Sequence, residues 1–522
     1  MPDILLYNGN IRNPDGSRTT AVLFRNGRIA RVGDSRDLLQ EARVDTGRID
    51  LAGLTVVPGF NDAHAHIWKI GHLLTTMLDL RKTTSIVELQ GSLGERDRKL
   101  PSGSWLLGRG FNELAMTERR RPTRSDLDQA VPDRPVALTR TCGHIYAVNS
   151  VALRLAGIGA NTNDPGGGII ERDERGEPNG LLHETAMGLI NLVMPPPTRD
   201  EYRDMVRAAL DHYLSLGITY SADCGVIPDL LEIYRSMDRD RALRSRVLVM
   251  PLRKVDGRSE PVPLPEKHVS NRLRVDTVKF LADGGLSGAT AAMSVPYRHA
   301  DTRGTLRLEL EELQRLAKES HDAGWRIATH AIGDVAIDMV LDVYESLGPH
   351  PSGLKHRIEH FGLPSPDQLK RAAKIGVISV PQAIFIRTFG PNFVQMLPDG
   401  FIPRTYPIRG MLDAGLTVAL SSDAPVVDNE SPFAGMNAGI TRRSKDGTLI
   451  SPEQAITNEE AFYGYTMGGA IAAGDARLGS IEPGKWADVA VLTGDPLETE
   501  PDSLEQIRVE MTFLSGEKVY PR

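Results

Sequence analysis

The sequence predicts an α/β protein built on a (β/α)8 TIM-like barrel, with a small β-sandwich formed by the N- and C-terminal segments and a large insertion after barrel strand 1. Three observations predict it. Short apolar runs alternate with helical patterns through the middle of the chain, both ends are strand-rich, and residues 67–199 intervene between the first apolar run and the second. The 522 residues leave room for a barrel and a smaller domain, each with its own core.

The sandwich is expected from residues 1–55 and 476–522. ILLYNG is followed by AVLFRNGRIARVG, where Asn26-Gly27 between two apolar runs is a strong hairpin signal. The C-terminal part reads alike, with ADVAVL, then VEMTFL, then Ser515-Gly516 turning into KVY. Isolated edge strands at the two ends would stay unpaired unless they met each other. Between them, 56–475, the barrel strands are expected at 56–60, 218–222, 247–252, 275–281, 326–330, 357–361, 377–380 and 417–421. Helices fall between them at 200–215, 306–323, 334–347, after Ser365-Pro366, and near 407–414. The insertion, about 67–199, has strand signals at 105–107, 136–139 and 145–148. It leaves from the C-terminal face of the barrel, which makes it a lid or pocket wall.

Composition narrows the function. Sixty-one basic against 68 acidic residues give a formal charge of −7, the wrong sign for a protein that neutralises nucleic-acid phosphates, and the run Arg119 to Arg121 stands alone. The sequence lacks both an apolar run long enough to span a bilayer and a secretory leader, so no membrane partner is expected. Cys142 and Cys224, the two cysteines, suggest a reducing, cytoplasmic setting, and Cys142 reads as a core residue rather than a nucleophile. A small-molecule substrate is the expected partner; a homodimer is left open.

The chemistry begins at Pro58-Gly59-Phe60-Asn61-Asp62-Ala63-His64-Ala65-His66. Two histidines at i and i+2 of a strand end face the same side and can grip one metal ion. Later strands also end in metal-capable residues: Lys279 in VKFLADGG, His330 in ATHAIGD, His360 in RIEHF and Asp423 in SSDAP. A barrel converges such strand ends from distant sequence positions.

These motifs, with CGHIYAVNS and GKWADVAVL, resemble the amidohydrolase superfamily, in its amidohydrolase-3, YtcJ-like branch, over nearly the whole chain. The resemblance implies two zinc ions bridged by a hydroxide and a carboxylated lysine. His64 and His66, with Asp423, would hold the buried ion, His330 and His360 the more exposed one, and Lys279 would be the bridge. A lysine held neutral by burial can take up CO2 and become a two-oxygen ligand; the alternative for Lys279 is an ion pair with Asp283. Asp423 would serve as general base and then acid. His144 would polarise the substrate carbonyl or be a structural histidine, while Asn149, Trp68, Asp283 and Gln382 are expected to line the substrate. One departure stands out: relatives read Gln-Pro and then His after the seventh strand, whereas this chain reads Pro381-Gln382 and then AIFIRTFG. Phe385, Phe389 and Phe393 there are either a pocket wall or helix packing.

The implied activity is metal-dependent hydrolysis of a non-peptide C–N bond, foremost an N-substituted amide or formamide. The alternatives are a cyclic amide, carbamate or ester, then deamination or a non-catalytic scaffold. The same ligands accept other divalent metals besides zinc.

Overall fold

A computed structural model describes residues 3–141, 143–255, 260–298 and 301–521. Cys142 and its reading as a core residue lie outside the described residues.

The two ends of the chain meet in two sheets. One contains Ile4–Tyr7, Ala21–Arg25, Arg28–Gly33 and Gly47–Asp50; the other joins Asn10–Arg12 and Thr55–Pro58 to Val489–Leu492, Val509–Leu514 and Glu517–Tyr520. Val56 and Val57 pair antiparallel with Val491 and Ala490, so first and last segments share one ladder. Leu6, Val22, Phe24, Val489 and Phe513 fill a common apolar core. Asn26 and Gly27 both take positive φ (51° and 76°), the conformation that the tight hairpin between Ala21–Arg25 and Arg28–Gly33 requires.

The middle of the chain holds two five-stranded sheets. In the first, Phe60–Ala65, Ile218–Val226, Arg246–Pro251 and Leu273–Val275 run parallel, with His268–Val269 antiparallel at its edge. In the second, Thr277–Leu281, Arg326–Ala331, Arg357–His360, Ile378–Val380 and Thr417–Val418 are all parallel. Main-chain contacts join the two sheets at two places: Leu252, just past Arg246–Pro251, bridges Lys279, and after the far strand Asp423 N–H donates to His64 O at 2.8 Å and His66 N–H to Ala424 O at 2.9 Å.

The first expected barrel strand is corrected. Residues 56–58 belong to the terminal ladder, and the strand that enters the central sheets is Phe60–Ala65. Gly59 separates the two, and a Cβ there would lie 2.1 Å from Thr219 Oγ1, so only glycine lets the chain pass so close to the next strand. Helices cover the strands as their apolar periodicity requires. Arg199–Ser215, closed at its start by a capping box of Thr198 and Glu201, buries Met205, Val206, Ala209, Leu210, Tyr213 and Leu214. The segment after His66 builds its own six-stranded sheet, from Leu78–Asp79 to Pro178–Glu184, over separate apolar cores. No described helix is long and apolar enough to cross a membrane.

A buried histidine chain away from the strand ends ties stability to pH. Ile327 N–H donates to His356 Nδ1 at 3.1 Å, which leaves the proton on Nε2 to meet His321 Nδ1 at 3.0 Å. Burial, then the neighbouring His350, His321 and Arg326, push the His356 pKa down to about 3. Unfolding restores it to roughly 6.5. Below that value the unfolded chain takes up a proton that the folded chain refuses. Stability is therefore full above pH 6.5 and falls as pH drops toward the folded value, by at most about 1.4 kcal/mol per pH unit. The urea midpoint should fall between pH 7 and pH 5, and less steeply in His356→Gln; identical slopes would assign the acid sensitivity elsewhere.

Candidate metal centre

The strand Phe60–Ala65 is buried along its whole length, and His66 caps the helix Ile67–Thr75 that follows. Each histidine is fixed through its Nδ1: His64 to Glu359 Oε2 at 2.5 Å, His66 to Cys224 O at 2.8 Å. Both Nε2 atoms then face Asp423 Oδ1, at 3.5 Å and 3.2 Å. His360 is held the same way, by Gln382 Oε1 at 2.7 Å from its Nδ1, and its ring centroid lies 4.7 Å from that of His64 and 4.4 Å from that of His330. His64, His360 and Asp423 bring ligand atoms within 4.8 Å of one another. His330 belongs to the same cluster, but its Nε2 lies 3.0 Å from Gly284 O and 3.2 Å from Asp283 Oδ1. His360 and Asp423 adopt φ of 67° and 57°, a left-handed backbone that non-glycine residues rarely hold without surrounding constraint.

Lys279 enters the cluster from Thr277–Leu281, 2% exposed, and its Nζ has no hydrogen-bond partner among the described residues. Asp283 is not that partner. Its carboxylate accepts from the backbone N–H groups of Ala292, Ile332 and Gly333 and meets His330. Burial lowers the pKa of Lys279 toward the neutral amine. Burial also holds the histidines neutral, His66 at about 4, His330 and His360 at about 3, and His64 well below its usual value. Burial opposes charge on Asp423, but the adjoining His66, His64 and His360 keep it ionised below the ordinary carboxylate range. Neutral imidazoles beside a carboxylate and an unsatisfied buried amine are the state in which a divalent cation binds, so the donor set fits such an ion.

Two supporting residues were missed in the sequence. Glu359 is fully buried, paired with Arg357 through 2.7 Å and 3.0 Å contacts, and it orients His64. Its signal was a charged residue inside a strand buried at every position, RIEH. Asp62 accepts from Tyr213 OH at 2.8 Å and from Ser422 N–H and Oγ–H at 3.0 Å and 2.5 Å, tying the first strand to the loop that carries Asp423. Glu359→Gln should weaken metal binding about 10- to 100-fold through the loosened His64, measurable by competition with a chelating dye.

Three residues expected to line the substrate spend their hydrogen bonds within the protein. Gln382 is fully buried behind His360, its Oε1 meeting His360 Nδ1 and its amide donating to Val380 O and Ser421 Oγ, so it orients the His360 ring. Asp283 is likewise buried and saturated by backbone amides. Asn149 caps the helix Ser150–Leu155, and its side chain bonds Val136 N–H, Val131 O and Arg134 O within the inserted segment. Sequence pattern marked all three as unusual polar residues but could not show that their hydrogen bonds were already spent.

His144 and Trp68 remain near the centre. His144 Nδ1 contacts Glu184 Oε2 at 2.9 Å, and its Nε2 lies 3.6 Å from where a Cβ at Gly285 would stand, next to the Gly284 carbonyl that meets His330. Trp68, half-buried, stacks on His72 and packs edge-on against Tyr202. The inserted segment also holds the loop after Asp423, through Thr141 Oγ1 to Val426 O at 3.2 Å and Arg81 to Val427 O at 3.3 Å. Phe385, Phe389 and Phe393 share the helix Ile384–Met396; they pack on one another and on Tyr406, and Phe385 stacks on His360.

Residues 48–520 match the Amidohydrolase family, Amidohydro_3. The chain belongs to the amidohydrolase family. It is an amidohydrolase, the class that cleaves carbon–nitrogen bonds other than peptide bonds. This amidohydrolase is 32% identical to the YtcJ protein of Bacillus subtilis (strain 168), over 97% of each chain. It is 31% identical to the N-substituted formamide deformylase of Arthrobacter pascens, over 100% of this chain and 99% of that one. Among solved structures, an uncharacterized metal-dependent hydrolase of Pyrococcus horikoshii OT3 superposes with a TM-score of 0.79 at 26% identity, covering 96% of this amidohydrolase and 99% of that chain.

Proposed function

We propose that this amidohydrolase is a metal-dependent hydrolase of non-peptide C–N bonds whose substrate is an N-substituted amide or formamide. The observation that carries the reading is the convergence of His64, His66, His330, His360 and Asp423 around the unpartnered amine of Lys279. The two central sheets form the (β/α)8 barrel in this reading, supported by the main-chain contacts that join them at two places. The segment 67–199 is the wall over its C-terminal face.

The residues present would hold divalent cations, zinc by ligand type, with His64, His66 and Asp423 on one, His330 and His360 on a second, and Lys279 carboxylated between them. When bound, such ions lower the pKa of water and polarise a carbonyl. The chain's own groups do the rest. Asp423, fixed by its N–H to His64 O, takes the proton of the attacking water and returns it to the departing nitrogen as the C–N bond breaks. His144, braced by Glu184, donates toward the carbonyl oxygen as negative charge gathers there. Phe385 and its aromatic neighbours keep the His360 side apolar.

The test is mass-spectrometric turnover of a panel of N-substituted formamides, N-acyl amino acids, cyclic amides and esters with zinc-loaded protein. Loss of amide or formamide substrates is expected. Loss of cyclic amides or esters alone would replace the proposed bond, and a chain that stays folded without taking up zinc would end the metal-dependent reading.

A further inference from the structure

Lys69 lies in the first turn of the helix Ile67–Thr75, directly after His66. A cation is unfavourable there, because the helix N-terminus already carries partial positive charge. Its side chain is half-buried, with the ammonium 5.9 Å from the Trp68 ring centroid, and it makes no hydrogen bond or ion pair with any described residue.

The acidic groups around it are engaged elsewhere. Asp223 accepts from Ile67 N–H at 3.1 Å through Oδ1 and from Tyr234 OH at 2.5 Å through Oδ2. Asp423 faces His66 and His64, and Glu184 meets His144. Further positive charge shares the space. Burial, then the charge of Arg109, push Lys69 down to about 8, still mostly protonated at neutral pH, and the charge of Arg307 is felt at Lys69, His330 and Glu184 alike. A half-buried ammonium that feels Asp423 and Asp223 only at a distance, both carboxylates being engaged by other groups, lies beside a reaction centre and under further cations and is matched by an anion that comes with the substrate.

We propose that Lys69 anchors a carboxylate of the substrate, so that the amides cleaved are amido acids of the N-acyl amino acid class. The proposal deepens the hydrolase reading above and rests on it. Water adds to the acyl carbon, the C–N bond breaks, and the proton passes to the nitrogen, giving a carboxylic acid and an amino acid whose own carboxylate stays on Lys69.

The experiment compares N-formyl- and N-acetylmethionine with the corresponding methioninamides, in both enantiomers, on zinc-loaded wild type, Lys69→Met and Lys69→Arg. In wild type kcat/KM should favour the acids by about tenfold or more, as expected for a hydrogen bond between charged groups. The ratio should collapse toward one in Lys69→Met and return in Lys69→Arg, at equal zinc content. A wild-type ratio near or below one, or the same ratio in Lys69→Met, overturns the proposal. If no amide is cleaved, calorimetric titration with N-acetylmethionine separates the two readings. Binding lost in Lys69→Met keeps the carboxylate site and removes the hydrolase reading, whereas binding that ignores Lys69, or none, removes the site.

Discussion

Lys279→Ala should lose metal and activity together while the chain stays folded. In wild type the Lys279 amine is buried with no hydrogen-bond partner among the described residues, which leaves a polar group unsatisfied in the metal-free protein at a cost of order 1–3 kcal/mol. Deleting it removes that penalty and opens a small cavity, two effects of opposite sign, so the thermal midpoint of metal-free protein should move little. Metal affinity is a different matter. In the proposed centre a carboxylated Lys279 would supply two oxygens to the ions held by the histidines, and the alanine would supply none. On the proposed bridging role of Lys279 we expect at least about a 100-fold loss of affinity, with turnover falling in step. Added formate, acetate or propionate should restore part of both by occupying the vacated space. An alanine variant that keeps zinc and full activity would remove Lys279 from the centre; one that unfolds would make it a structural residue.

How far the sequence leads is clearest where it stops. Strands such as Arg326–Ala331 and helices such as Asp334–Leu347 are visible because their apolar spacing is local, and Asn26-Gly27 marks its hairpin because only such residues accept positive φ twice. The split at Gly59 is not visible that way. Val56 and Phe60 belong to one apolar run, and only the approach of Thr219 shows that the chain changes sheets between them.

The centre follows the same division. His64, His66, His330, His360 and Asp423 could be suspected because each ends an apolar run. Glu359 left only the faint signal of a charge inside RIEH and Lys69 left none, because a single charged residue acquires meaning from what surrounds it in space: Arg357 and His64 for one, no hydrogen bond or ion pair with a described residue for the other. Gln382 and Asn149 show the reverse case. A polar residue beside a motif invites a substrate role, while only the fold shows that its hydrogen bonds run to His360 or to a helix cap.

Asp423→Asn should separate metal binding from proton transfer, and it carries the largest expected loss of rate. The asparagine keeps the size of the side chain, one oxygen toward His64 and His66, and the backbone bond to His64 O. It cannot accept a proton at neutral pH. Removing a positioned general base and acid lowers kcat by about 10²- to 10⁴-fold, and the higher figure is expected because in the proposed mechanism the same group serves both halves of the reaction. Loss of the metal-facing negative charge should weaken zinc more modestly, so protein loaded at excess zinc should hold metal and remain slow. The residual rate should depend on the leaving group, since an amine that departs without a proton is penalised in proportion to its basicity. Anilides should then lose less than alkylamides. Equal losses for both, or a variant that regains wild-type kcat once zinc is saturating, would make Asp423 a ligand without a part in proton transfer.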